Sequence, residues 1–449
     1  MATVLEKYLE QAEATDPIKC VGHVNRVQGL LLESLGPQAI IGEICRIDAP
    51  KGNGVIRAEV VGLRGDIVQL MAVDDTAGIE AGARVVATGE RLMVPVSDKL
   101  LGRTLDAMGK PLDGKGDIES SVFYPAMADP PDPLKRRRIR ERITTGVRAI
   151  DAMLSVGKGQ RMGIFAGSGV GKSTLLGMIA RNTSAQVNVV ALIGERGREV
   201  NDFIENDLGP EGLARSVIIV SPSSAPPLAR LRAAYVATAV AEYFRDQGLD
   251  VMLLFDSVTR FARAQREIGL ATGEPPATRG YPPSVFDSMP RILERCGTSD
   301  RGTITGFYTV LVDGDDMDEP IADTVRGILD GHMVLSRSLA QRAHYPAIDI
   351  LQSISRLFPV VCGPVTRKVV SRIRRLMAAW EEAHELIEVG AYHAGSNPEV
   401  DEAIALRPKI EEFLIQDMDD PTPMGETLDA LAALAGMEIP QEEYSWYGR

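Results

Sequence analysis

The sequence predicts an α/β protein with a small all-β domain before its core and a helical domain after it. Three observations predict this. Residues 18–95 hold short β-rich runs separated by Gly, Pro and Asp turns. From about 140 to 360, apolar β-rich runs alternate with helical periodicity. From about 365 onward the pattern is helical, with no β-rich run.

Along the chain, Val4, Leu5, Tyr8, Leu9 and Ala12 fall at helical spacing, and Asp16-Pro17 ends the run. Such a helix either packs on its own domain or docks a partner protein. β-rich runs at 22–27, 39–47, 55–61, 67–72 and 84–87 follow. Many short strands at regular spacing suggest a small β-barrel or sandwich. Gly and Pro gather from 95 to 116, and Pro130, Pro131 and Pro133 mark a loop into the next domain. The basic run Lys135-Arg136-Arg137-Arg138-Ile139-Arg140 has no interleaved aromatics. A solvated linker or a subunit contact therefore suits it better than nucleic-acid binding. Runs at 162–166, 187–193, 216–220, 251–255 and 303–312, with a helical pattern at 228–244 between them, imply a mostly parallel sheet covered on both faces. Helical periodicity at 369–390 and 401–416 completes the chain.

Composition narrows the class. The chain has 449 residues, 45% of them hydrophobic, which is enough to bury a sizeable core. The length suggests roughly two to four domains. A net charge of −13 argues against a general nucleic-acid or anionic-membrane binder. Cys20, Cys45, Cys296 and Cys362 form no C-x-x-C pair, as expected of free thiols in a reducing compartment. No secretory signal is visible, and no stretch approaches the ~20 apolar residues that span a bilayer. A cytoplasmic protein is expected, reaching a membrane only through partners.

The strongest motif is Ala166-Gly167-Ser168-Gly169-Val170-Gly171-Lys172-Ser173-Thr174. It follows a predicted strand and opens a predicted helix, the context a phosphate-binding P-loop (Walker A) requires. Glycines let backbone N–H groups converge on phosphate oxygens, and the helix N-terminus adds partial positive charge. Lys172 is expected to reach the β and γ phosphates of ATP, and the Ser173 hydroxyl to ligate Mg²⁺. Ala166 stands where the simplest pattern has Gly, and is small enough for the turn. The apolar run 251–255 ends in Asp256, a carboxylate placed to hold Mg²⁺ through water. The run 187–193 leads to Gly194-Glu195-Arg196-Gly197-Arg198-Glu199. A carboxylate just past a strand beside the P-loop strand can polarise an attacking water. By spacing alone, that segment reads equally well as a charged surface turn.

Here a resemblance becomes specific. Residues 194–200 resemble the catalytic-glutamate segment of the rotary F- and V-type ATPase α/β-subunit family, and within it the type III protein export ATPase branch. Residues 145–151 (TGVRAID), 165–174, 273–284 (GEPPATRGYPPS), 330–332, 344–350 (HYPAIDI) and 397–404 (NPEVDEAI) carry the same resemblance. Residues 314–320 (GDDMDEP) look more flagellar than virulence-type.

The resemblance implies a RecA-like P-loop core with an N-terminal β-barrel and a C-terminal helical domain. It implies Glu195 as the residue that activates water, with Arg196 and Glu199 supporting it. Asp256 becomes the magnesium-site acid, Arg356 an arginine presented across a subunit interface, and Tyr345 an aromatic beside the adenine. An ordinary core tyrosine and a structural salt-bridge arginine are the plainer readings of the last two. The loops 273–284 and 313–320 would approach a central channel. The implied domains are a docking helix at 1–17, a barrel at 18–95, the ATPase domain with its linker at 96–364, and helices at 365–449. A homohexamer is implied at the base of the flagellar export apparatus. Its expected partners are a regulatory stator-like protein at the N-terminal helix, a central stalk protein, the export gate and chaperone–cargo complexes. Rival readings are a virulence type III secretion ATPase, a Rho-type nucleic-acid translocase, and a non-catalytic rotary subunit. Glu195 argues against the last; acidity and the lack of an aromatic platform argue against the second.

Overall fold

The computed structural model describes residues 21–448 apart from 53, 313 and 315. The docking helix expected at 1–17 lies outside the described residues. The chain divides into two compact units.

The first unit holds a closed antiparallel barrel. Its strands are β1 (Val21–Gln28), β2 (Leu31–Leu35), β3 (Glu43–Ala49), β4 (Gly54–Arg64), β5 (Ile67–Ala72) and β6 (Arg84–Arg91). They run in the order β1-β2-β5-β4-β3-β6, and β6 pairs back onto β1. Alternation drives the closure. In β3, Cys45, Ile47 and Ala49 point inward to meet Leu32, Ile56, Val60 and Leu70. Two expectations are corrected. Strand β2 was not anticipated, because Glu33 and Ser34 break its apolar run. The run expected from 39 begins as a strand only at Glu43. There Gly42 adopts a left-handed φ of 87°, which no β-branched side chain tolerates.

The second unit is built on a nine-stranded sheet. Its main strands are β7 (Arg103–Leu105), β8 (Arg161–Ala166), β9 (Val187–Ile193), β10 (Ser216–Ser221), β11 (Asp250–Asp256), β12 (Thr303–Leu311), β13 (Gly331–Leu335) and β14 (Ile348–Ser355). They lie in the order β14-β13-β8-β12-β11-β9-β10-β7. β7 to β13 are parallel to their neighbours in this order, and β14 is antiparallel to β13. β9, β10 and the interior of β11 are fully buried, as apolar strands covered on both faces must be. β13 and β14 were not expected, since Gly331-His332 and the polar residues Asp349, Gln352 and Ser353 interrupt their patterns.

The C-terminal helices do not build a separate core. Ile373, Ile410 and Leu428 share one apolar cluster with Ile150, Leu175 and Met333 of the nucleotide-binding part. Two residues of the basic run are tied down, while Lys135 and Arg138 are exposed as a solvated linker would be. Arg136 donates to the carbonyls of Cys296 (2.8 Å) and Glu294, and Arg137 to those of Ser299 (2.9 Å) and Arg301 (2.8 Å). These guanidinium groups satisfy carbonyls of the 294–301 segment. No helix among the described residues is long and apolar enough to cross a membrane.

One buried ion pair ties the entry segment to the helix Pro227–Asp246 and to the turn after the helix Pro283–Leu293. Arg295, fully buried, donates to both oxygens of Glu242 at 2.9 and 2.5 Å and to the Ala126 carbonyl at 2.5 Å. Removing one partner leaves the other charge buried and unpaired. Arg295→Ala should therefore cost about 3–5 kcal/mol, read by urea unfolding, while a paired apolar replacement of both residues should cost far less. Equal losses from the single and paired changes would refute this account.

Candidate active site

The site starts from a helix that no side chain caps. Helix α1 (Lys172–Asn182) begins at Gly171, whose φ of 89° only glycine adopts without strain, and no side chain bonds its first N–H groups. Those donors are orphans of helix geometry and carry the positive end of the helix dipole. Gly169, at φ 78°, turns the loop that precedes them. A Cβ there would meet nothing within 4 Å, so the approach to the loop is open. Gly167, Ser168, Gly169, Val170 and Gly171 thus make an open loop with the geometry to cradle phosphate oxygens. Ser173 is exposed and Thr174 half-buried at the helix start.

Lys172 joins two strand ends. Its Nζ lies 2.5 Å from Asp256 Oδ1 and 3.5 Å from Glu195 Oε1. Asp256 ends β11, is 2% exposed, and accepts a second hydrogen bond from Thr309 Oγ1 at 2.7 Å. Parallel strands put all their C-terminal ends on one rim, so carboxylates from β11 and from just past β9 collect where the loop after β8 arches. One expectation is corrected. The Glu195 strand is not beside the P-loop strand, because β12 and β11 stand between them. The carboxylate still reaches Lys172, since the loop and the turn at 194–196 both rise above the strand ends and the lysine side chain is long.

Glu195 is buried, and burial pushes its carboxyl up to about 7. A hydrogen bond with Glu199 and the charge of Asp256 add to the rise, and Lys172 and Arg260 oppose it. Arg260, on the helix Val258–Ala271, places Nη2 3.3 Å from Glu195 Oε2 and donates through Nη1 to the Gly194 carbonyl. Arg260 and Thr309 went unrecognised in the sequence. Arg260 had a faint signal, standing four residues beyond Asp256 on the next helix. Thr309 had none, since it sits inside an apolar strand.

Two expected site residues stand outside the Lys172–Glu195–Asp256 cluster. Arg196 is exposed and turns to Glu199, at 3.1 Å, so it touches Glu195's neighbour and not the phosphate rim. Arg356 follows β14, the reversed strand, and its N–H donates to the Asp330 carbonyl beside the start of β13. It therefore stands at the rim opposite the phosphate loop. The six residues of β8 separate the two rims by about 20 Å. Its exposed guanidinium cannot reach Lys172 of its own chain.

Tyr345 lies against the loop. A Cβ on Gly171 would contact its ring at 3.4 Å. The ring borders a cleft of about 600 Å³ lined by Gly171, Thr174, Met178, Pro346 and Gln416. Gln416 is fixed there by its own N–H to the Tyr345 carbonyl (2.9 Å) and by accepting from Arg148 N (2.8 Å). Asp151 organises the turn behind it, accepting from Thr145 N (2.9 Å) and Gly146 N (2.9 Å). A half-apolar slot beside a phosphate cradle suits a purine base. The loops near 279 and 316 meet through an exposed Arg279–Asp316 ion pair at 3.0 Å.

Three family models match the chain. They are the ATP synthase alpha/beta family nucleotide-binding domain at 146–355, the beta-barrel domain of the same family at 24–89, and the T3SS EscN ATPase C-terminal domain at 362–433. A flagellum-specific ATP synthase of Treponema pallidum (strain Nichols) is 56% identical over 440 residues, covering 98% of each chain. The chain belongs to the ATP synthase alpha/beta family, in its type III export branch. Another relative, the flagellum-specific ATP synthase of Bacillus subtilis (strain 168), is 53% identical over 434 residues, 96% of this chain and 99% of that one. The assembled ATPase EscN of the enteropathogenic E. coli type III secretion system superposes with a TM-score of 0.88 at 42% identity, covering 92% of this chain and all (100%) of that one. The same ATPase in complex with its central stalk EscO gives 0.86 at the same identity (42%) and the same coverage (92% and 100%). This family binds and turns over a nucleotide, which suits an open glycine loop, an adjoining cleft and buried carboxylates on one rim.

Two predictions follow from this geometry. Lys172→Ala should lose ATP binding and hydrolysis together. Glu195→Gln should keep binding but turn over at least about a hundredfold more slowly, because positioned acid–base groups supply 10²–10⁴-fold. Binding by equilibrium dialysis and phosphate release separate the two, and near-normal turnover in Glu195→Gln would place the base elsewhere. The second concerns pH. Glu195 holds its proton to about 7 in the fold against an ordinary value of 4.5. Stability is then fully kept below the lower value and falls as pH rises through the upper one. The nucleotide-free Glu195→Gln protein should melt a few degrees above the parent at about pH 8.5, and that gap should close near pH 4.5. A gap independent of pH would contradict the assignment.

Proposed function

We propose that this chain is the ATP hydrolase of the flagellar type III protein export apparatus. It couples ATP hydrolysis to the release, unfolding and delivery of export substrates. The observation that carries the reading is the meeting of Lys172, Glu195 and Asp256 at an uncapped helix start. Full-length likeness to flagellum-specific relatives supports the flagellar assignment. The virulence type III secretion ATPase is the second reading, favoured by the match to the EscN C-terminal domain.

In this reading the N–H groups of 167–174 and Lys172 bind the phosphates, and Tyr345 packs on the base. Ser173 and Asp256, the latter through water, would hold Mg²⁺. The donors fit that hard cation, being oxygens, and Glu195 Oε1 is buried among them without a hydrogen bond. Bound there, Mg²⁺ supplies neutralisation of charge growing on the phosphate oxygens. Glu195 accepts the proton of the attacking water, and its raised affinity for a proton suits that task. Arg260 and Glu199 hold its carboxyl, and Arg196 holds Glu199.

Arg356 acts on a neighbour. A guanidinium at the transferring phosphoryl group is worth about 10³–10⁵-fold. Its place on the opposite rim supports action in trans within a homohexamer. The domains are then 1–17, 18–95, 96–364 and 365–449. EscN, solved as an assembly and with its central stalk, supports an oligomer that engages a stalk protein. A stator-like regulator at 1–17, the export gate and chaperone–cargo complexes complete the partners. The chain works in the cytoplasm at the base of the export apparatus, at the membrane only through these partners and without nucleic acid.

Specific ATPase activity should rise steeply with protein concentration as subunits assemble, followed beside light scattering. Constant specific activity from a monomer would refute a site completed at an interface.

A further inference from the structure

The segment 441–448 makes contacts that the ATPase cycle as described does not use. Glu443 is 3% exposed. Its carboxylate accepts from Val365 N (2.9 Å), Thr366 N (2.8 Å) and Thr366 Oγ1 (2.7 Å). Those are the first donors of the helix Pro364–Glu388, whose own N-cap, Gly363, has no side chain to offer. Glu443 thus caps a helix from far along the chain. Trp446 Nε1 donates to the Val360 carbonyl at 3.1 Å. Gly448 presses on the same residue: a Cβ there would lie 2.6 Å from Val360 O. The segment is itself anchored, by Gly448 N to Arg140 O at 2.8 Å and by Arg142 Nη2 to Glu443 O at 3.1 Å.

Everything gripped in this way lies just after Arg356. The short helix Phe358–Val361 starts two residues beyond it and ends before Gly363. Upstream, Arg356 is held by the sheet. Ser355 Oγ donates to Ser155 O at 2.9 Å and accepts from Gln160 Nε2 at 3.0 Å, and Arg356 N donates to Asp330 O at 3.0 Å. Downstream, the turn 356–363 is exposed in part and short. Its carbonyl at Val360 and the helix start at 365–366 are held by 443–448. An exposed arginine reaching a site outside its own chain needs both flanks fixed, because a displacement of about 1 Å can cost about 10²-fold in rate.

We propose that Glu443 and Trp446 are positioning residues for Arg356. They hold the 356–366 turn so that its guanidinium is presented to the phosphate site of a neighbouring subunit. This rests on the reading that Arg356 acts in trans. It assigns to 441–448 a role in a site that belongs to another copy of the chain.

The test asks in which subunit the segment matters. Mixed assemblies of Lys172→Ala and Arg356→Ala subunits contain one working type of interface, where the first lends Arg356 to the phosphate site of the second. Trp446→Phe keeps an aromatic ring while removing the indole N–H donor and part of its bulk. Placed in the Lys172→Ala subunit, it should cut the rescued turnover by about tenfold, while the KM for ATP stays within about twofold. Placed in the Arg356→Ala subunit, it should change rescued turnover by less than about twofold. Equal loss in both placements, or loss in neither, overturns the proposal, since a general weakening of the fold does not distinguish donor from recipient. Absence of rescue in the parent pair overturns the trans reading of Arg356, and this proposal with it. Gly448→Ala, which displaces Val360 through its Cβ, is carried through the same two placements with the same outcomes. It decides the matter if Trp446→Phe does not assemble.

Discussion

The first N–H groups of the helix after β8 have no partner in their own helix and no capping side chain. Water satisfies such donors in an open site, and an anion can take its place with the help of the helix dipole. The nucleotide-binding part is arranged around those donors. Parallel strands bring Asp256 and Glu195 to the same rim, and Lys172 lies between them at 2.5 and 3.5 Å. Two carboxylates face two cations there, with Arg260 as the second. The cluster is close to neutral without nucleotide, so burying it is tolerable. Phosphates then enter as competitors for Lys172, and a carboxylate released from it is free for a metal or a water.

The reversed strand β14 serves a different purpose. β14 runs against β13 and returns the chain to the far rim, where Arg356 emerges. A wholly parallel arrangement would have delivered that arginine to the rim of its own phosphate loop. The reversal separates, within one chain, Lys172 and its two carboxylates from Arg356. On the proposed action of Arg356 in trans, dependence on assembly would follow from that strand direction.

The C-terminal helices share an apolar core with the sheet, and Gln416 from their side lines the cleft beside Tyr345. Arg148 and Gly146 reach the same glutamine. A partner that shifts these helices therefore shifts one wall of the nucleotide site. The 441–448 segment adds a second link, from the far end of the helical part to the turn that bears Arg356. Both links are mechanical, made of packed side chains and carbonyl hydrogen bonds.

How much could be read beforehand depended on distance along the chain. The P-loop is legible because its chemistry needs glycines, a lysine and a hydroxyl at fixed local spacing. Strands such as β9 and β11 are legible because burial on both faces demands unbroken apolar runs, and an acid at their ends stands out. β13 and β14 were hidden by polar residues that the register of the sheet satisfies. The basic run at 135–140 looked solvated because its carbonyl partners lie more than a hundred positions away. Arg260, Thr309 and Glu443 were silent for the same reason. Residue type and local periodicity pointed to a nucleotide-binding loop at 166–174 and singled out Glu195 and Asp256, the two acids that the fold brings to Lys172. Only the tertiary structure decided that two strands part Glu195 from the phosphate loop, and that Arg356 faces away from its own site. Strand order and direction are set by long-range pairing, which no local pattern encodes.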